Sequence, residues 1–301
     1  MKTFLIKLSF FLLPVLAYCG LAAVFTPKLL ALRHGPSTET QISGSFEEAI
    51  KNDYDMYILG NSRTYRGIDP DNLAPPAFNF SHDNDSFNQI YYKLLYLTDN
   101  KKDFNYLVLG VDYFQFSFKS DTRNYVYADL FRNEYLKDFK TNRLDLLVGA
   151  YLDNLNPKKL FARRNEKRPP VYKQNGQYIT YATAKETDAI DRDITRLKLQ
   201  TDYFFKIIDL CRKKHIKVFM TMMPTRKVEL ASYTEAEISE FNSFLRKVVD
   251  NKSVFLLDFT YSADYKTQDY TDATHLNEKA SSRFTKALND SIVKLIDADQ
   301  K

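Results

Sequence analysis

Tyr57-Ile58-Leu59-Gly60-Asn61-Ser62-Arg63-Thr64 is the stretch that decides the fold we predict for this chain. The apolar residues before Gly60 are typical of a short buried strand, and glycine allows the backbone to turn tightly after it. Ser62 would then lie at the carboxyl end of that strand, where open α/β sheets place their ligands. The stretch therefore predicts a sheet with a serine at its ligand-binding edge.

Further apolar runs repeat an alternation of strand and helix along the chain. The predicted strands are residues 56–59, 77–80, 106–110, 217–222 and 254–258, and the predicted helices cover about 85–99, 191–214, 234–250 and 277–296. Strands separated by helices favour a parallel sheet that is covered on both faces. We therefore predict an α/β fold, a flavodoxin-like three-layer α/β/α sandwich with a five-stranded parallel sheet.

The composition is that of a folded protein and excludes several functional classes. The 301 residues are 44% hydrophobic and 27% charged, which argues against disorder. A net charge of +5, without a long Lys/Arg run or a Cys/His finger, predicts no nucleic-acid partner. The 4 histidines are scattered, so we predict neither a metal site nor a cofactor.

The N-terminal segment Leu8 to Phe25 is almost entirely apolar. At about 1.5 Å per residue, its length comes close to a hydrocarbon core of roughly 30 Å, which fits a transmembrane helix. A cleaved signal peptide is the alternative, although Gly20-Leu21-Ala22 is a mediocre cleavage site. We predict a membrane anchor over residues 1–25 and a linker over residues 26–45.

Residues 116–187 interrupt the alternation and form a predicted insertion within a single α/β domain that covers 46–301. The turn dipeptide Asn175-Gly176 between short segments that contain Tyr172 and Tyr178 predicts a hairpin. Because the insertion follows the third strand, it would emerge on the ligand side, as a lid or as a sugar-binding rim. A decoration without a role in binding is the alternative.

A second stretch, Asp272-Ala273-Thr274-His275, places an acid and an imidazole near the C-terminus. A serine hydroxyl becomes a nucleophile only when a base takes its proton, and an acid must orient that base. His82 and His275 follow predicted strands and belong to the ligand-binding edge, whereas His215 precedes a strand. The two stretches could also be structural, as a helix cap at Ser62 and as a loop motif at Asp-x-x-His.

A serine after the first strand, with Asp-x-x-His near the C-terminus, resembles the SGNH (GDSL-like) hydrolase superfamily. The resemblance implies the α/β/α sandwich predicted above. It also implies that Ser62 is the catalytic nucleophile, His275 the base and Asp272 the orienting acid.

The oxyanion hole that the resemblance implies is where this sequence departs from the family. Asn84 is the counterpart of the family's glycine after the second strand, and Asp112 stands where a donor asparagine belongs. An ionised carboxylate cannot donate a hydrogen bond, and its charge would oppose an oxyanion. Either Asp112 has another task, or a neighbour such as Asn84 or Arg63 binds the oxyanion, or the site is catalytically weak.

With this departure, the segments around Gly60, Asn79 and Gly110 resemble membrane-anchored SGNH-like proteins of cell-envelope O-acylation, such as alginate acetylation or teichoic-acid D-alanylation. The resemblance implies an acyltransferase or esterase outside the cytoplasm, periplasmic or extracellular. Its substrate would be an envelope or exported polysaccharide, or an acylated small molecule. Its partner would be a multipass membrane acyltransferase. The alternative is a catalytically degenerate scaffold that binds a glycan or that acyltransferase.

Overall fold

The computed structural model describes residues 2–34, 38–120, 124–138, 169–188, 195–262 and 264–299, with further positions at 144, 148–149, 151–152 and 155–156. Contacts divide the chain into two compact units, Met1–Gly44 with Asp121–Asn165 and Ser45–Ser120 with Glu166–Lys301. The helices are α1 (Lys2–His34), α2 (Thr38–Lys51), α3 (Ser62–Gly67), α4 (Phe87–Asp99), α5 (Asn124–Leu136), α6 (Lys198–Lys213), α7 (Lys227–Leu230), α8 (Glu235–Arg246) and α9 (Glu278–Asp299).

The N-terminal helix is longer than the sequence predicted. Its part Lys2–Leu30 is long and apolar enough to cross a membrane, by length and composition. Most of residues 26–45, predicted as a linker, are helical, because α1 continues to His34 and α2 begins at Thr38. The run Leu29-Leu30-Ala31-Leu32 consists of strong helix formers, which explains why the helix continues past Pro27.

The larger unit contains a five-stranded parallel sheet, as predicted. The strands are β1 (Met56–Leu59), β2 (Ala77–Asn79), β3 (Tyr106–Gly110), β4 (Val171–Tyr172), β5 (Tyr178–Ile179), β6 (Lys217–Met222) and β7 (Val254–Asp258). The sheet has the order β2-β1-β3-β6-β7, and β4 with β5 forms a separate antiparallel hairpin. Because β2 and β3 lie on opposite sides of β1, the carboxyl ends of β1 and β3 border a topological switch point.

Helices cover both faces of the sheet, so the predicted fold class is confirmed. Side chains of β1, β3 and β6 pack with α9 on one face, through Ile58, Val108, Phe219, Phe284 and Leu288. On the other face α4 and α6 contact each other, and α6 contacts β6. Rings of Phe87, Phe204 and Phe244 from α4, α6 and α8 meet there around Phe116. Residues 191–194, predicted to begin the helix α6, lie outside the described residues.

The predicted hairpin is present in the insertion, and it is docked on the edge of the sheet. The backbone N–H of Asn79, in β2, donates to the carbonyl oxygen of Asn175 at 2.9 Å. Gly176 has φ 89°, and a Cβ at this position would collide with the Asn79 carbonyl. The hairpin is therefore a fixed part of the larger unit. Much of the insertion before residue 169 lies outside the described residues.

Candidate active site

Ser62 begins α3 directly after the turn that follows β1. The turn is tight, because a Cβ on Gly60 would collide with the side chain of Thr64. Asn61 caps the helix by accepting a hydrogen bond from the backbone N–H of Arg63 at 2.9 Å. The Ser62 hydroxyl is partly exposed and lies 2.7 Å from Nε2 of His275.

The Asp-x-x-His stretch forms a loop before α9 that fixes the imidazole from its other side. Nδ1 of His275 lies 2.8 Å from both carboxylate oxygens of Asp272. The carboxylate also accepts backbone N–H bonds from Thr274 and His275, each at 3.0 Å. Donation of Nδ1–H to Asp272 leaves the lone pair of Nε2 directed at the Ser62 hydroxyl. The structure thus brings together the three residues proposed as nucleophile, base and acid.

The surroundings of His275 and Asp272 lower the pKa of both groups. Burial lowers the pKa of His275 and the charge of Arg66 lowers it further, whereas the hydrogen bond to Asp272 opposes them. Burial alone would raise the pKa of Asp272, but hydrogen bonds from His275 and Thr274 outweigh it and lower that pKa. The imidazole is therefore neutral and the carboxylate ionised near pH 7.

Arg63 and Asp112, both predicted to bind an oxyanion or a substrate, are buried in the structure. The two side chains are each 3% exposed and form an ion pair of 2.6 Å. Asp112 also accepts a hydrogen bond from Nδ2 of Asn61 at 2.9 Å, and Arg63 donates to the carbonyl of Pro224 at 2.7 Å. Ser62 is thus flanked by two residues that both bind Asp112. This carboxylate anchors the turn that carries Ser62.

Asn84, the third predicted oxyanion or substrate residue, lies on the surface. It is exposed and has a left-handed backbone with φ 59°, a conformation that asparagine tolerates. Among the described residues, no hydrogen bond joins Asn84 to Ser62 or His275. Its contact with an oxyanion stays a prediction.

Arg66 is a site residue that the sequence reasoning missed. Its guanidinium binds Asp83 with Nη2 to Oδ2 at 2.7 Å, and Nη1 lies 3.4 Å from Nδ1 of His275. It also lies 3.7 Å from the carboxylate of Asp272. The available signal was its position four residues after Ser62, which places both side chains on one face of a helix.

His82, the second histidine expected at this edge, belongs to a different cluster. It is 2% exposed, and its Nδ1 lies 2.5 Å from the ammonium of Lys93, which is fully buried. Lys93 also donates to Asp85 and to the Phe80 carbonyl, so its three protons have acceptors. Nε2 of His82 faces the hydroxyl of Ser45 at 3.0 Å. In the described part of the chain, no group of three or more His, Cys, Asp or Glu could hold a metal ion.

Comparisons with known proteins give distant relationships. A protein-family model matches residues 89–297 of the chain. No curated protein matches the chain. The solved structures that match include a proposed acylhydrolase from Bacteroides fragilis, with 10% identity, a TM-score of 0.43 and coverage of 86% of this chain and 98% of that chain. A proposed platelet activating factor from Streptococcus pneumoniae has 11% identity, a TM-score of 0.42 and coverage of 91% and 99%.

Proposed function

We propose that this protein is a serine-dependent acyltransferase or esterase that acts on a polysaccharide outside the cytoplasm. The observation that carries the proposal is the continuous contact from Ser62 Oγ to His275 Nε2 at 2.7 Å, and from His275 Nδ1 to Asp272 at 2.8 Å. A partly exposed hydroxyl, a neutral imidazole and an ionised carboxylate in this order are the parts that nucleophilic acyl transfer needs.

In the proposed reaction, Ser62 Oγ attacks the carbonyl carbon of an ester while Nε2 of His275 takes its proton. The imidazolium, stabilised by Asp272, then returns that proton to the leaving oxygen, and an acyl-serine remains. A sugar hydroxyl or water next attacks the acyl-serine while His275 takes its proton. The bond between the acyl carbon and Ser62 Oγ then breaks, and the imidazolium returns the proton to Oγ, which releases the acylated sugar or the free acid. Because the Asp112 carboxylate is bound to Arg63, backbone N–H groups such as that of Ser62 would bind the oxyanion.

The location and partner are further parts of the proposal. The apolar length of Lys2–Leu30 supports a membrane anchor, and the sequence resemblance supports an orientation with the larger unit outside the cytoplasm. The same resemblance supports a multipass membrane acyltransferase as the partner. Tyr172 supports a sugar substrate, because this residue is 39% exposed and its ring stacks on Tyr178, which lies against Arg66 of the site.

Labelling with a fluorophosphonate probe tests the serine chemistry directly. We expect the full-length protein in detergent micelles to be labelled, the Ser62→Ala variant to stay unlabelled, and Ser239→Ala to be labelled like the wild type. Ser239 lies exposed on α8 and is a matched control for loss of a hydroxyl. Turnover of p-nitrophenyl acetate should fall by about a thousandfold or more in Ser62→Ala. Equal labelling of Ser62→Ala and wild type would refute the proposal.

The second candidate function is a scaffold that keeps the fold without the chemistry. It is favoured by the ion pair of Arg63 and Asp112, because this pair occupies the place of an amide donor. A folded wild-type protein that neither reacts with the probe nor turns over acetyl esters, yet binds a glycan, would support the scaffold.

A further inference from the structure

We infer that Arg66, clamped by Asp83, is a positioning residue that keeps His275 neutral and ready to accept the proton of Ser62. The inference rests on the proposed function, because it assigns a role within the same site. It adds a charged pair whose two members act on the imidazole in opposite directions.

The position of Arg66 is fixed by its surroundings. Ser62 and Arg66 occupy the first and fifth positions of α3, so their side chains leave the helix on the same face. Asp83 binds the guanidinium through two atoms, with Nη2 to Oδ2 at 2.7 Å and Nε to Oδ1 at 3.3 Å. The guanidinium also lies over the ring of Tyr178, 5.4 Å from its centre. Two-point binding and ring contact fix the plane of this group.

The remaining nitrogen of Arg66 faces the proposed acid and base. Nη1 lies 3.4 Å from Nδ1 of His275 and 3.7 Å from Oδ2 of Asp272. The contacts from Nδ1 to Asp272, at 2.8 Å, are much shorter. Nδ1 therefore carries a proton that it donates to the carboxylate, and it does not accept a hydrogen bond from Arg66. Both Nη1 and Nδ1 then carry protons that face each other. If the imidazole became protonated, its positive charge would lie next to the positive charge of Arg66, whose guanidinium is fixed in place.

The charged groups around the imidazole come from three parts of the larger unit. Asp272 belongs to the loop of His275, Arg66 to α3, and Asp83 to the segment after β2. Burial and the charge of Arg66 lower the pKa of His275, whereas Asp272 and Asp83 raise it. Because Arg66 and Asp83 neutralise each other, removal of either one leaves the other acting alone.

The test is to measure the acidic limb of kcat/KM for p-nitrophenyl acetate, together with the NMR titration of His275. The full-length protein in detergent micelles is compared with Arg66→Gln, Asp83→Asn and the double variant, and the His275 signal is assigned by its loss in His275→Gln. We expect the midpoint to move to higher pH in Arg66→Gln and to lower pH in Asp83→Asn. The shift in Arg66→Gln should be about half a pH unit or more, since unit charges about 4 Å apart interact appreciably even in water. The double variant should return near the wild-type midpoint.

Two further variants separate electrostatics from folding. Arg212 lies in the last turn of α6 and forms an ion pair with Asp250. Arg212→Gln removes the same charge as Arg66→Gln and should leave the midpoint unchanged. Arg66→Lys retains the charge and should keep the midpoint near the wild-type value, although it loses two-point binding to Asp83.

Several results would overturn the inference. These are shifts of the same sign in Arg66→Gln and Asp83→Asn, or unchanged midpoints in both with only a loss of turnover. The NMR titration does not need turnover, so it distinguishes this inference from the proposed function. Opposite shifts in a protein that neither reacts with fluorophosphonate nor cleaves esters would support the charge effect and refute the enzyme. If turnover depends on Ser62 but the two variants do not shift the midpoint in opposite directions, the proposed enzyme is supported and the role of Arg66 is refuted.

Discussion

In the described part of the larger unit, two pairs of serine and histidine lie within hydrogen-bonding distance. The pairs differ in the group that contacts Nδ1, on the side of the ring away from the serine. Ser62 lies 2.7 Å from Nε2 of His275, and Ser45 lies 3.0 Å from Nε2 of His82. By this distance alone, either serine would have a base beside it. The side chain of His275 is 13% exposed and that of His82 only 3%, so the imidazole of His275 is the more accessible of the two.

The group on Nδ1 decides which imidazole can act as a base. Asp272 accepts the Nδ1 proton of His275, which leaves Nε2 free to accept a proton. Lys93 donates to Nδ1 of His82, which keeps the ring proton on Nε2 and makes that atom a donor to Ser45. A carboxylate on Nδ1 therefore makes a base, and an ammonium makes a structural hydrogen-bond bridge.

The largest difference between the His275 and His82 clusters should appear when the aspartate of each one, Asp272 or Asp85, is replaced by asparagine. In Asp272→Asn the amide stabilises an imidazolium poorly and favours the wrong tautomer, so kcat should fall about 10³- to 10⁴-fold with little loss of stability. In Asp85→Asn, kcat per folded molecule should stay near the wild-type value while the melting temperature falls. Steady-state kinetics on active-site-titrated protein, with thermal melts, measure both. A similar loss of kcat in both variants would remove the distinction.

The second prediction concerns the buried ammonium. Lys93→Met removes the partner of Asp85, which is 2% exposed, and leaves an uncompensated charge in the interior. We expect a loss of about 3–5 kcal/mol in the free energy of unfolding. Fluorophosphonate labelling of the folded fraction should be retained. A Lys93→Met protein that is as stable as the wild type would show that this cluster does not stabilise the fold.

The third prediction tests the anchor beneath Ser62. Asp112→Asn introduces the asparagine expected at this position from the resemblance to SGNH hydrolases. It also removes the negative charge that pairs with the buried Arg63. We expect kcat/KM to fall about tenfold and the free energy of unfolding to fall by about 2 kcal/mol or more, because Arg63 loses its counter-charge. If Asp112→Asn instead raises kcat/KM, then the aspartate is a defective oxyanion donor rather than an anchor.

The strands of the parallel sheet could be predicted because they are mostly apolar and several end at a clear boundary, such as Gly60, Gly110 or Pro224. The edge to which Ser62 and His275 belong followed from the rule that ligands bind beyond the carboxyl ends of parallel strands. The pattern did not reveal that the side chain of Arg63 points into the protein. Successive side chains of a helix point in directions about 100° apart, so an error of one residue in where the helix begins changes which side chains are buried.

Long-range contacts were the other part that the sequence did not reveal. Arg66 and Asp83 are separated by a whole strand, and their pairing depends on how α3 and the segment after β2 approach each other. The docking of the hairpin against Asn79 is of the same kind, since the turn dipeptide predicts a hairpin but not the strand that it meets.

The smallest predicted effect is a pH dependence of stability that comes from His275. The folded-state pKa of His275 lies below its ordinary value of 6.5, so the unfolded chain binds more protons between the two values. Its contribution to stability is complete above pH 6.5 and is lost as the pH falls toward the folded-state pKa. Urea denaturation between pH 7.5 and pH 5, followed by tyrosine fluorescence because the chain has 21 Tyr and no Trp, measures this loss. The wild type should lose more stability across this range than His275→Gln, and parallel curves would show that the imidazole is not held neutral.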